Sequence, residues 1–147
     1  MISKAQINYL FEEIWPEMDG RVIHQHNCIK NYDKIERIFV NHKLNFNDLL
    51  RALVELNGIG LTIATGLIWC SYPNRAIPFD KYTLSFCIKY QWINSNCISK
   101  DYSSVCKKVL KGIKEYQFDD GSPYRVIDMV REAMDEMKYS EWLVKPE

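Results

Sequence analysis

The chain has 147 residues, 19 basic and 19 acidic side chains, and a net charge of zero, with 47% hydrophobic and 26% charged residues. That balance excludes a disordered chain and a generic polycation; a chain of this size can bury roughly 70% of its unfolded surface in one core. No apolar run approaches the ~20 residues that span a bilayer, and the N-terminal segment lacks a signal-type apolar region, so residues 1–147 read as one domain in the cytoplasm with no membrane partner.

Apolar spacing predicts helices almost throughout. Ser3 and Gln6 form a capping-box pattern, followed by Ile7, Leu10, Phe11 and Ile14 at helical spacing, and Pro16 closes the element. Residues 20–30 read as irregular or as a short extended piece, because Val22 and Ile23 are β-branched. Asn31 can cap a second helix with Ile35, Ile38 and Phe39 on one face. Asn45 or Asn47 can cap a third, carrying Leu49, Leu50, Leu53 and Leu56, with Asn57-Gly58 as its stop signal. A fourth runs from just after Gly60 to about Cys70. A loop with two prolines follows, and Asp80 can cap a fifth helix through about Tyr90. Ser99 or Asp101 opens a sixth, with Val105, Val109, Leu110 and Ile113 inward and Lys107, Lys108, Lys111 and Lys114 on or beside its polar face. Ser122-Pro123 predicts the start of a seventh, with Val126, Ile127, Val130, Met134 and Met137 inward. The expected fold is all-α, a compact bundle of about seven short helices.

Five cysteines, an odd number without CxxC spacing, predict reduced and mostly buried thiols and give little support to a metal or cluster site. His24 and His26 could share a metal if they stood on one face of a strand, but no third ligand is apparent nearby, and no metal site is expected. Charge is unevenly placed. Residues 20–114 hold 14 Lys+Arg and 6 Asp+Glu, whereas residues 117–147 hold 4 and 8. One DNA-facing surface and one solvent-facing helix would give this pattern, and so would ordinary scatter.

The most informative segment is Leu56-Asn57-Gly58-Ile59-Gly60-Leu61-Thr62. Helical periodicity stops before it and resumes after it. Glycine can take positive φ or admit close backbone approach, and Ile59 between the two glycines can plug the seam between the helices. The next helix then begins with free N–H groups and the positive end of its dipole, which suit a phosphate. Small Ala64 and Gly66 would let the two helices pack closely. A tight helix–helix turn without any ligand would use the same residues.

Leu56-x-Gly58-Ile59-Gly60-x-x-x-Ala64, then a proline-containing loop, then Ile77-Pro78-Phe79-Asp80, resembles the helix-hairpin-helix DNA glycosylase superfamily. That family includes endonuclease-III-like, adenine-removing and alkyl-base-removing enzymes. Asp80 lies twenty positions after Gly60, and the resemblance is best over residues 48–90. It implies that Asn57, Gly58, Ile59, Gly60, Leu61 and Thr62 meet the backbone of duplex DNA, with a monovalent cation at the hairpin carbonyls and no other cofactor. It implies that Asp80 is the catalytic carboxylate, stabilising positive charge on the sugar as the bond to a flipped base breaks. Three departures stand out. Thr62 occupies the position of the lyase lysine, which points to a monofunctional enzyme using water. Asn57 replaces the hairpin proline, and the four-cysteine cluster loop is absent.

Aspartate is also among the best helix N-caps, which explains Asp80 without chemistry. Trp69, Phe79, Tyr82 and Trp92 read as core more readily than as pocket. His24-Gln25-His26-Asn27 reads as a solvated loop more readily than as a wedge that replaces a flipped base. The first functional reading is therefore a DNA-repair-type glycosylase. A non-catalytic helix-hairpin-helix DNA-binding or adaptor domain is the alternative, and a module with a protein partner is the third.

Overall fold

The computed structural model describes residues 1–94, 98–116 and 118–147. Its described residues contain helices and no strand. Helix α1 (Lys4–Tyr9) runs directly into a π-helical turn (Leu10–Ile14). Then follow α2 (Arg21–Lys30), α3 (Tyr32–His42), α4 (Phe46–Val54), α5 (Leu61–Ser71), α6 (Lys81–Lys89), α7 (Tyr102–Lys114) and α8 (Val126–Met137). No helix among the described residues is long and apolar enough to cross a membrane.

Several helix starts follow the side chains that the sequence offers. Ser3 and Gln6 cap each other reciprocally. Asn45 accepts from Asp48 N–H, Asp80 from Thr83 N–H, and Asp101 from Ser104 N–H. Each bond satisfies a backbone donor that the first helical turn would otherwise leave open.

Three expectations are corrected. Residues 21–30 are helix α2, not an extended piece. Val22 and Ile23 point to solvent, whereas Cys28 is buried in the core. Arg21 and Gln25 bond one turn apart, and Gln25 ties α2 to Asn8 and Glu12 of the N-terminal segment. Tertiary bonding thus overrides β propensity. Asn31 does not cap α3 with its side chain, which turns back to Asn27. The last helix starts at Val126 after Arg125, not at Ser122-Pro123, because Ser122 is taken up in a turn with Asp120.

The buried side chains form a core shared by all these elements, with Phe11, Leu49, Leu53, Leu67, Phe79 and Tyr102 among its largest fully buried members. Helix α6 packs chiefly on α8, and α4 on α5. Cys28, Cys87 and Cys106 are buried and Cys70 is half-buried; all four thiols are free, and Cys97 lies outside the described residues. Burial pushes Cys28, Cys70 and Cys106 up to about 12, so these thiols are poor nucleophiles.

Two buried bonds fix the loop that delivers Asp80. Tyr102 Oη donates to Ile77 O at 2.6 Å, and Phe79 N–H donates to Thr65 Oγ1 at 2.8 Å. Tyr102→Phe leaves the buried Ile77 carbonyl without this donor. It is expected to cost about 1–3 kcal/mol, read as a shift of the urea midpoint at unchanged slope. An unchanged midpoint would show that the loop is held without it.

Candidate functional site

The 55–60 turn separates its two glycines by function. Gly58 has φ +83, and a Cβ there would stand 2.7 Å from Asn27 Nδ2, so strain and space both favour glycine. Gly60 has an ordinary extended backbone (φ −92), and nothing lies within 4 Å of a Cβ built on it. Ile59 is buried between them. Asn57, Gly58 and Gly60 are exposed. Asn27 Nδ2 donates to Asn57 O at 3.1 Å, so α2 clamps the turn from outside.

Gly60 supplies no capping side chain to α5. The first N–H groups of that helix have no acceptor within the helix itself, and Gly60, Leu61, Thr62 and Ile63 all line a cavity of about 520 Å³. The volume is within the range of small-molecule sites. Asp80 and Tyr82 line the same cavity, together with Trp15, Met18 and Met134. Of the residues predicted for the site, Gly58, Gly60, Leu61, Thr62 and Asp80 therefore come together. Asn57 is outside the lining, and Ile59 sits beneath it in the core.

Asp80 is only 6% exposed, and both its oxygens are engaged. Thr83 N–H donates to Oδ1 at 2.7 Å; Trp15 Nε1–H donates to Oδ2 at 2.9 Å, and the Thr83 hydroxyl approaches Oδ2 at 3.4 Å. Burial raises its carboxyl above the ordinary value of 3.8, and the donors from Thr83, Trp15 and Tyr82 pull it back in part. Asp80 lines a cavity that also carries cationic side chains: Lys81, Lys138 and Lys145. Lys138 is bridged to Glu17 at 3.1 Å, and Lys81 lies over the Tyr82 ring.

Sequence reasoning missed Trp15, Met18, Glu17, Lys138 and Lys145, which reach the cavity from the two ends of the chain and carry no local signal. Of the four aromatics considered, Tyr82 lines the cavity, while Trp69 and Phe79 are core and Trp92 joins a cluster with Phe86, Tyr90 and Tyr116. The reading of residues 24–27 as a loop is corrected. Gln25 and Asn27 are bonded within the fold, and His24 lines the cavity. His24 and His26 lie two positions apart on a helix, so they diverge by about 200°. No group of three or more His, Cys, Asp or Glu that could hold a metal occurs among the described residues.

Among the turn carbonyls, Leu56 O accepts from Ile59 N–H and Asn57 O from Asn27 Nδ2, and each keeps one further acceptor position. Gly66 does not serve the α4–α5 contact as expected; it makes room for Trp15, whose Cη2 lies 2.3 Å from where a Cβ would stand. No protein-family model, curated protein or solved structure matches the chain.

Proposed function

We propose that the protein binds duplex DNA through the turn at residues 57–62 and hydrolyses the N-glycosidic bond of a nucleotide flipped into the cavity. The observation that carries this reading is the meeting of two features in one cavity: the uncapped start of α5 and the buried carboxylate of Asp80. Backbone N–H groups at a helix start suit a phosphate and carry no sequence information. Met18, Met134, Trp15 and Tyr82 give the cavity the apolar and aromatic lining that a flipped base requires. As the bond from C1′ to the base nitrogen breaks, its electron pair leaves with the base, and the sugar takes on positive charge. Asp80 stabilises that charge. Water then bonds to C1′, and the proton it loses ends on the base nitrogen that kept the electron pair. Thr62 stands where the resemblance would place an amine nucleophile, so the sugar–phosphate chain stays intact.

A second reading has one specific observation in its favour: the Asp80–Thr83 N–H bond is a complete helix cap, which requires no chemistry. The protein would then be a DNA-binding or adaptor domain without catalysis.

Gly60→Glu tests the DNA contact shared by both readings. The side chain enters open space at an ordinary φ, so the fold is expected to remain, and the added negative charge repels phosphate. Fluorescence anisotropy with a duplex carrying a stable abasic-site mimic should show at least tenfold weaker binding. Wild-type affinity should fall steeply between 50 and 200 mM salt, since each phosphate contact releases counterions. Equal affinities for wild type and variant would remove the turn from the interface.

A further inference from the structure

We propose that Trp15 is the positioning residue of this site: with the far edge of its ring seated against Gly66, its indole N–H holds Asp80 Oδ2 so that the carboxylate faces the cavity as a fixed negative charge rather than as a proton acceptor. The inference rests on the reading of Asp80 given above.

Helix capping accounts for one oxygen of Asp80 only. Thr83 N–H takes Oδ1, and a cap needs nothing more. Oδ2 receives its shorter bond from a residue 65 positions away in the chain, at 2.9 Å and out of solvent, while the Thr83 hydroxyl stands at 3.4 Å from the same oxygen. Trp15 is itself fixed on three sides. It is 2% exposed, its ring meets Phe11 edge-on at 6.1 Å, and its far edge fills the gap left by the missing side chain of Gly66, beside Leu10. The remaining side contributes to the cavity wall.

The backbone is shaped for this contact. Trp15 N–H bonds to Leu10 O, closing an i→i+5 turn. In a regular α-helix, residue i+5 stands about 140° around from residue i. The wider π turn carries Trp15 back over Leu10, toward α5 and Asp80. A carboxylate has roughly four acceptor positions, and donors on both oxygens favour its charged form. The arrangement therefore opposes proton uptake at a site where burial promotes it.

The test is the side-chain carbonyl resonance of Asp80, followed against pH in labelled wild-type and Trp15→Phe proteins. Phenylalanine keeps an aromatic ring in the Gly66 gap and deletes the N–H. The other titratable groups near Asp80 are the same in both proteins: His24, Glu17, Asp19, Lys81, Tyr82, Lys138 and Lys145 around the cavity, and the buried Cys87 thiol. The midpoint is expected to rise by about one pH unit in Trp15→Phe. Should that variant not fold, the wild type decides alone: the Trp15 indole N–H resonance must titrate with the midpoint of Asp80. An unchanged Asp80 midpoint in folded Trp15→Phe, or an indole resonance that is flat through the Asp80 titration, overturns the proposal. Base release from a mixed-lesion duplex panel is read in parallel. If wild type releases no base, the glycosylase reading fails, and the titration still decides the role of Trp15. If wild type releases base, Trp15→Phe should lose at least tenfold near the Asp80 midpoint and regain part of it at higher pH.

Discussion

Asp80→Asn is expected to reduce base release by about 10²–10³-fold, the scale observed when one preorganised electrostatic group is removed from a transition state. Binding to abasic-site duplex should remain, because the turn at residues 57–62 is untouched. Asparagine also caps helices well and can still accept from Thr83 N–H, so α6 should start where it does in the wild type. Its amide N–H₂ then faces the Trp15 indole, donor against donor, which the wild-type carboxylate avoids. The pH dependence follows from the same group. Burial raises the Asp80 carboxyl above 3.8, so its negative charge is complete above the raised value and is lost as pH falls through it. The acid limb of the wild-type profile should therefore lie above the ordinary aspartate value. Asp80→Asn should have no such limb. Wild-type turnover by Asp80→Asn on every active lesion would reduce Asp80 to a helix cap and remove it from the chemistry, whereas the non-catalytic reading requires that wild type itself releases no base.

Gly66→Ala should be among the most damaging single-atom additions to the fold. The new Cβ would lie 2.3 and 2.9 Å from two ring carbons of Trp15 and 3.1 Å from a Leu10 methyl. Trp15 and Leu10 are both buried, so relief requires the ring to shift into the cavity, away from Asp80, or α5 to move. Overpacking of this kind costs about 1–3 kcal/mol. At this chain length each kcal/mol lowers Tm by roughly 2–4 °C. Gly60→Ala is the matched control, since the same atom added there meets nothing within 4 Å. Thermal unfolding should separate the two glycines clearly. Equal Tm values for Gly66→Ala and wild type would mean that α5 can retreat from Trp15, and the seating of the indole described above would lose its physical basis.

Much of the helical framework was legible because its signals are local. Ser3 with Gln6, Asn45, Asp80 and Asp101 each lie within one turn of the N–H group they satisfy, so a short window of sequence contains both partners. Gly58 was legible in the same sense, since a stop signal with glycine anticipates positive φ, and φ is +83. Residues 21–30 were not legible. Val22 and Ile23 favour strand locally, and what holds them helical is bonding to Asn8, Glu12 and Asn57, remote in sequence. Ser122-Pro123 misled for the opposite reason, as a good local start signal was used for a turn with Asp120.

The sequence by itself determined that the chain is helical, where several helices begin, that Gly58 ends one of them at positive φ and that Asp80 caps another. Only the tertiary structure decided that these residues border one cavity, and that Trp15 completes the coordination of Asp80. Capping and periodicity act over one or two turns and leave a pattern in the chain. A cavity is made where distant segments fail to fill space. Its walls here come from residues 15–24, 58–63, 80–82 and 134–146, brought together by a core that no single segment contains.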